Sequence, residues 1–154
     1  MPNRLRESPR LKEFDYAGAY VYSLTLVTRG RAPLFRRTDV APIAEKALAR
    51  SAEKHGVEVV AYCFMPDHLH LLVTGGEGLR LEAFVHLFKQ LAGFEAKKIL
   101  GTPLWQTSYY DHVLRQDEDI EVVANYIWDN PVQAGLVSDR SDYAYSGPRE
   151  LRDG

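Results

Sequence analysis

The sequence predicts an α+β fold of the ferredoxin-like, split βαβ type, with a four-stranded antiparallel sheet and an extra C-terminal helix. Hydrophobic periodicity places the elements in the order β-α-β-β-α-β-α along the 154 residues. That length suits one domain with its own core, and no repeat or linker divides the chain. In this fold the first and third strands occupy the centre of the sheet.

The first half of the chain contains the segments that predict strands one to three. The predicted elements are a basic arm at 1–18, a strand at 19–28, a helix at about 38–56, and strands at 57–65 and 68–74. The strand segments are rich in β-branched and aromatic residues. The helix has apolar residues at helical spacing, with Thr38 or Asp39 as its N-cap and Gly56 at its end.

The second half predicts two helices separated by one strand. The predicted elements are a helix at 79–100, a strand at 108–115, a last helix from Asp117 to about Asp129, and an irregular tail at 138–154. The long helix is amphipathic and is closed by Gly101. We expect Pro131 to end the last helix near Asn130, because proline interrupts the helical hydrogen bonding.

The composition is typical of a soluble globular protein. Hydrophobic residues make up 45% of the chain and charged residues 26%. The longest apolar runs are too short to span a bilayer, and the N-terminus lacks the apolar stretch of a signal peptide. Since Cys63 is the single cysteine, no internal disulfide can form. We therefore expect a cytoplasmic location.

Basic residues are concentrated at the N-terminus, although the formal net charge of the chain is −2. Residues 1–37 contain eight basic and three acidic side chains and thus carry a net charge of +5. This asymmetry is compatible with contact to the phosphates of a nucleic acid. The candidates for such contact are Arg4, Arg6, Arg10, Arg29 and Arg31. A solvated surface arm would explain the same pattern.

Two histidines of the predicted third strand are candidate metal ligands. His68 and His70 are two residues apart, so their side chains point to one face of the strand while Leu69 faces the core. Imidazole is a common ligand of divalent transition metals. Two surface histidines on a half-exposed strand would have the same spacing.

The last predicted helix places a phenol beside an amide. Tyr126 and Asn130 are four residues apart and therefore lie about 40° apart around the helix axis. The phenol is a candidate nucleophile, and the amide oxygen is a candidate third metal ligand. A tyrosine packed at the helix edge and an asparagine at the helix end would explain the same pattern. The chain has nine tyrosines, and most must be structural.

Two segments of the chain resemble a known family. YCFMPDHLHLLV at 62–73 and YIWDNPVQAGLV at 126–137 are similar to the two signature segments of the HUH single-strand transposases, and most similar to those of the REP-associated tyrosine transposases. Further similar segments follow the family order: YVYSLTLVTRGRAPLF (20–35), LFKQ (87–90) and LWQTSYYDHVLR (104–115). The resemblance spans about residues 19–147.

This resemblance implies metal-dependent cleavage and strand transfer of single-stranded DNA that carries hairpin, REP-like elements. It implies that His68 and His70 bind Mg²⁺ or Mn²⁺ and that Asn130 completes the metal site. It also implies that Tyr126 is the nucleophile, which forms a 5′-phosphotyrosine intermediate. Arg115 resembles a recurrent basic residue of the family and is a further candidate for phosphate contact. Neutral imidazoles suit Mn²⁺ better than Mg²⁺, so we expect Mn²⁺ to work at least as well.

Other functions are compatible with the same sequence. A domesticated regulatory protein would bind single-stranded DNA or hairpins without turnover, and a metal-dependent hydrolase would use water and form no covalent adduct. A homodimer is an open alternative to a monomer. In a homodimer, the helix with Tyr126 would serve either its own histidine pair or that of the partner.

The aromatic residues near the predicted fourth strand also have two interpretations. Trp105, Tyr109 and Tyr110 either stack on unpaired bases or form a packed cluster. His112, on the same strand, either contacts DNA or packs against the sheet. The sequence alone does not distinguish these alternatives.

Overall fold

The computed structural model describes residues 20–76, 78–114 and 119–154. Several predicted features lie outside the described residues: the arm at 1–18 with Arg4, Arg6 and Arg10, the candidate Arg115, and the expected helix cap Asp117. Within the described part of the chain, none of the helices combines the length and apolar character needed to cross a lipid bilayer.

The elements follow the predicted order, and two short elements are added near the C-terminus. The strands in the described residues are β1 (Tyr20–Thr28), β2 (Glu58–Met65), β3 (His68–Gly75), β4 (Trp105–Val113) and β5 (Ser146–Gly147). The α-helices there are α1 (Ala41–His55), α2 (Leu81–Leu100), α3 (Ile120–Gln133) and α4 (Arg149–Arg152). Short 3-10 turns lie at Arg29–Arg31, Leu34–Arg36 and Arg140–Asp142.

The strands form one antiparallel sheet in the order β4-β1-β3-β2-β5. As predicted, β1 and β3 pair in the interior of the sheet, and β4 lies at one edge. The sheet has five strands and not the predicted four, because Ser146 and Gly147 pair with Cys63 and Tyr62 at the outer side of β2.

Each face of the sheet has its own core. On one face, Leu69 and Leu71 of β3 pack in a cluster with Phe84 and Phe88 of α2 and residues of α1. On the other face, Leu72 packs with residues of β2 and α3. Because side chains alternate along a strand, His68 and His70 share the face of Leu72, which is the face of α3.

The prediction of an irregular tail at 138–154 is wrong, because this segment contains β5 and α4, and β5 pairs with β2 of the sheet. The Arg152 side chain donates to the Tyr143 carbonyl oxygen at 3.0 Å and to the Ser146 hydroxyl at 2.7 Å. The Trp128 indole nitrogen of α3 donates to the Gly147 carbonyl oxygen at 2.9 Å. The contacts of this segment with β2 and α3 join residues distant in sequence, so no local pattern predicts them.

Two predicted helix boundaries are also wrong. No side chain caps α1, which follows Val40, because the Asp39 carboxylate binds Arg37. Pro131 lies inside α3 and does not end it. Proline removes one amide donor only, and the helix continues because the Ala134 amide donates to the Asn130 carbonyl oxygen at 2.9 Å.

Asp119, and not the predicted Asp117, caps α3, and its removal is expected to destabilise the fold. One carboxylate oxygen accepts hydrogen bonds from the amides of Glu121 (2.9 Å) and Val122 (3.4 Å). We expect Asp119→Ala to lower the free energy of unfolding by about 1 kcal/mol, measured by urea titration. Asp119→Asn, which keeps an acceptor oxygen, is the control and should retain most of the stability. Equal losses in both variants would contradict the capping role.

Candidate active site

The two histidines at the start of β3 bring the Nε2 atoms of their rings together. They follow the Pro66–Asp67 turn between β2 and β3. The Nε2 atoms of His68 and His70 are 3.1 Å apart, and the rings meet edge to face at an angle of 87°. Both residues are half-buried, so part of each side chain remains accessible to solvent.

The Nδ1 atom of each ring has a partner that orients the imidazole. His68 Nδ1 lies 2.6 Å from Asp67 Oδ1, and because a carboxylate only accepts, Nδ1 is the donor of this hydrogen bond. His70 Nδ1 lies 3.4 Å from the Thr25 hydroxyl oxygen. Metal-binding histidines commonly have such a partner on the second nitrogen. The Pro-Asp turn next to the histidines was the only sequence signal for Asp67, and Thr25 gave none.

Arg31 belongs to the same cluster. Its Nε lies 3.3 Å from Asp67 Oδ2, so Asp67 contacts both Arg31 and His68. Arg31 has a φ of 55°, which is uncommon for a residue with a side chain, and it follows Gly30 at 62°. This left-handed turn places Arg31 at the histidine pair, whereas the exposed Arg29 is connected through its backbone amide to Leu104.

Burial and charge set the protonation of this cluster. Burial, with a further contribution from the charge of His68, lowers the pKa of His70 to about 4. His70 is therefore neutral near pH 7, the form that binds metal ions. Burial would raise the pKa of Asp67, but the hydrogen bond from His68 and the positive charges of His68 and Arg31 outweigh it and lower that pKa.

Helix α3 places Tyr126 beside the histidine pair of the same chain. Ala124 and Ile127 are buried against the sheet, whereas the intervening Tyr126 is 63% exposed. The ring centroids of Tyr126 and His70 are 6.3 Å apart. A histidine pair and a phenol of one chain therefore lie together. The sequence had left open whether Tyr126 serves the histidine pair of its own chain or that of a partner.

Asn130 is linked to this group through the helix. Its amide nitrogen lies 3.4 Å from the Tyr126 carbonyl oxygen, one turn earlier in α3, and the residue is half-buried. The contacts of the described residues thus join His68, His70 and Tyr126 directly. Asn130 lies on the same helix flank as Tyr126.

Two other tyrosines differ from Tyr126 in burial and bonding. The Tyr62 hydroxyl donates to Glu45 at 2.8 Å, and the Tyr143 hydroxyl donates to the Phe64 carbonyl oxygen at 2.6 Å. Burial raises the pKa of both phenols, and the charge of Glu45 raises that of Tyr62 further. Both hydroxyls therefore hold the fold together and are poor nucleophiles.

The histidine pair fits a divalent metal ion. Two nitrogen ligands at right angles, each about 2.1 Å from one ion, stand about 3.0 Å apart, close to the 3.1 Å between the Nε2 atoms. Among the described residues, no group of three or more His, Cys, Asp or Glu side chains is arranged to hold a metal. A metal on this pair would therefore take further ligands of another kind, such as the Asn130 amide oxygen, water or substrate.

A match to a family model identifies the family of the chain. The family model described as "Transposase IS200 like" matches residues 17–130, which include β1 to β4, the histidine pair and most of α3. The chain belongs to this family. The match covers both Tyr126 and Asn130.

The individual relatives are REP-associated tyrosine transposases, as the sequence segments predicted. A Haemophilus influenzae protein provisionally named a REP-associated tyrosine transposase is 29% identical over 147 residues, covering 88% of this chain and 82% of that protein. The REP-associated tyrosine transposase of Escherichia coli K12 is 28% identical over 94 residues, covering 58% of this chain and 53% of that protein.

A solved structure confirms the fold. The structure of a REP-associated tyrosine transposase bound to a REP hairpin matches with a TM-score of 0.71. The match covers 85% of this chain and 78% of that chain at 23% sequence identity. The predicted α+β architecture with an antiparallel sheet is therefore confirmed, apart from the added short strand β5.

Proposed function

We propose that this protein cuts and rejoins single-stranded DNA, with Tyr126 as the nucleophile and a divalent metal held by His68, His70 and Asn130. The observation that carries this proposal is the position of Tyr126, an exposed phenol whose ring lies 6.3 Å from that of His70. His70 is paired in turn with His68 through their facing Nε2 atoms. Membership of a transposase family supports the same chemistry.

The cleavage step is an in-line displacement at phosphorus. The Tyr126 phenol oxygen attacks a DNA phosphodiester, a new O–P bond forms, and the bond from phosphorus to the 3′-oxygen breaks. The phenol gives its proton to solvent, and the departing 3′-oxygen takes one up. The products are a 5′-phosphotyrosine and a free 3′-hydroxyl. Attack by a second 3′-hydroxyl reverses the step and seals a new joint without ATP.

The side chains around the histidines organise the site for this step. Bound Mg²⁺ or Mn²⁺ would polarise the scissile phosphate and offset the charge that develops on it. The Asp67 carboxylate accepts from His68 Nδ1, which leaves Nε2 as the nitrogen that would bind the metal, and the Thr25 hydroxyl contacts Nδ1 of His70. Arg31, whose side chain is 62% exposed, supplies positive charge beside the pair.

We propose single-stranded DNA with hairpin elements as the substrate. The relative of known structure was solved with a REP hairpin, which supports this choice. Arg29 and Arg31 are exposed in the turn that follows β1 and are available to phosphates near the site. The candidates outside the described residues, Arg4, Arg6, Arg10 and Arg115, remain predicted phosphate contacts.

Incubation with labelled stem-loop oligonucleotides and Mn²⁺ or Mg²⁺, followed by a denaturing gel, tests the function. We expect a cut strand and a protein–DNA species that survives denaturation. Binding without either product would indicate a regulatory protein. A cut strand without a covalent species would indicate a hydrolase that uses water. Both outcomes would contradict the proposal.

Asp67 is expected to act as a positioning residue for His68. Replacing it with alanine removes the partner of His68 Nδ1, so we expect the Mn²⁺ affinity to fall about 10- to 100-fold, measured by calorimetry without DNA. Asp67→Asn keeps an acceptor oxygen and should retain more of the affinity. Asp39→Ala, which removes an exposed carboxylate bound to Arg37, is the matched control. Unchanged Mn²⁺ affinity in Asp67→Ala would contradict this role.

A further inference from the structure

The sheet face that carries His70 continues across β1 to the edge strand β4. His70 pairs with Thr25 of β1, and Thr25 pairs with Tyr110 of β4. Directly paired residues of an antiparallel sheet project to the same face. Two strand spacings separate the backbones of His70 and Tyr110, a distance of about 10 Å. A DNA strand with one phosphate at the histidine pair can therefore place a neighbouring base over Tyr110.

On this half of the face, Val21 and Leu114 at one end pack against the core beneath α3, whereas the part around Thr25 and Tyr110 is more open. The buried strand residues in the core beneath α3 come from β2 and β3. Thr25 on β1 is half-buried, and Tyr110 on β4 is 65% exposed. The Tyr110 ring thus lies in solvent on the same surface as the candidate active site. Because it is exposed, it contributes little to the stability of the fold.

The adjacent tyrosine is unsuited to DNA because it faces the other way. Tyr109 packs against the core formed by α1 and α2, as does Trp105. Burial and the negative charges of Asp111 and Glu82 raise the pKa of Tyr109, and both carboxylates would repel phosphate.

The face that carries Tyr110 differs in charge from the face that carries Tyr109. The paired residues of β1 and β4 on that side, within the described part of the chain, are Ser23 with His112 and Thr25 with Tyr110. None of these four is acidic, so a phosphate backbone meets no carboxylate among them.

We infer that Tyr110 stacks on an unpaired base of the DNA strand next to the cleavage position, which makes the β1–β4 half of the sheet a single-strand binding surface. The inference rests on the proposed function, because it needs single-stranded DNA at the histidine pair. Base stacking on an exposed aromatic ring tolerates any base. Tyr110 therefore supplies affinity and position, while sequence selection comes from other contacts.

Binding by a protein that cannot cut tests this inference. In the Tyr126→Phe protein, the affinity for hairpin oligonucleotides with single-stranded flanks is measured by fluorescence anisotropy. We expect an added Tyr110→Ala to weaken binding about 5- to 150-fold and an added Tyr110→Phe to preserve it. Tyr20→Ala is the matched control, because Tyr20 is 53% exposed on the opposite face of the same sheet, and it should bind normally.

A base analogue locates the contact. With 2-aminopurine placed at successive flanking positions, one position should show quenching that Tyr110→Ala removes and Tyr110→Phe keeps. Equal affinity of the Tyr110→Ala and Tyr20→Ala proteins would overturn the inference. So would an equal loss in Tyr110→Phe and Tyr110→Ala, since that result would assign the effect to the hydroxyl and not the ring.

Cleavage measurements separate this inference from the proposed function. In protein with Tyr126 intact, Tyr110→Ala should raise KM and leave kcat nearly unchanged, because the ring does not touch the reacting phosphate. If no variant forms a covalent product but Tyr110→Ala still weakens binding, the stacking surface stands and the cleavage proposal fails. If cleavage occurs and Tyr110→Ala changes neither binding nor KM, the cleavage proposal stands and the stacking inference fails.

Discussion

The Tyr126→Phe variant is expected to bind hairpin DNA but to form neither a cut strand nor a covalent product. The substitution removes one oxygen from a side chain that is 63% exposed, so the free energy of unfolding should change by no more than about 0.5 kcal/mol. The phenyl ring can still lie beside His70, but it has no atom that can attack phosphorus. Cleavage should therefore fall below detection on a denaturing gel while affinity is retained.

The covalent product identifies the nucleophile among the nine tyrosines. Mass spectrometry of the trapped adduct should place the nucleotide on the peptide that contains Tyr126. Tyr20→Phe, a change at another exposed tyrosine away from the site, is the matched control and should cleave normally. Nucleotide mass on a peptide with Tyr109 or Tyr143 would show that the assignment to Tyr126 is wrong.

Strand and helix periodicity predicted the placement of the site residues because each depends on local geometry. The spacing of His68 and His70 predicted one shared face, and the structure has both on the face of α3. The spacing of Tyr126 and Asn130 predicted one helix flank, and the two residues are in contact one turn apart. Their roles in catalysis stay predictions.

Contacts between distant segments were not predictable from the same patterns. The strand β5 is formed by pairing with β2, and the partner of His70 is Thr25 from another strand. Alternation along a strand puts Tyr109 and Tyr110 on opposite faces of the sheet, but it does not show which face has the core. Only the paired register of β1 with β3 and β4 shows that Tyr110 shares the face of His70.

Replacing both His68 and His70 with alanine is expected to abolish metal binding and cleavage together. The pair presents two nitrogens 3.1 Å apart, and the double variant leaves Asn130 as the sole proposed protein ligand. We expect the Mn²⁺ affinity measured by calorimetry to fall more than about 100-fold, a larger loss than for the change at Asp67, which contacts a ligand but not the metal. Cleavage of hairpin DNA should then be undetectable at Mn²⁺ concentrations that saturate the unmodified protein.

The fold should survive this double substitution, so the loss can be assigned to the site. Both histidines are half-buried at the surface of β3, whereas Leu69 between them is buried in the core and is left unchanged. His86→Ala, which removes an exposed histidine on α2, is the matched control and should bind Mn²⁺ and cleave normally. Thermal unfolding checks that both variants are folded. A folded double variant that still cleaves at the rate of the unmodified protein would show that these histidines do not hold the catalytic metal.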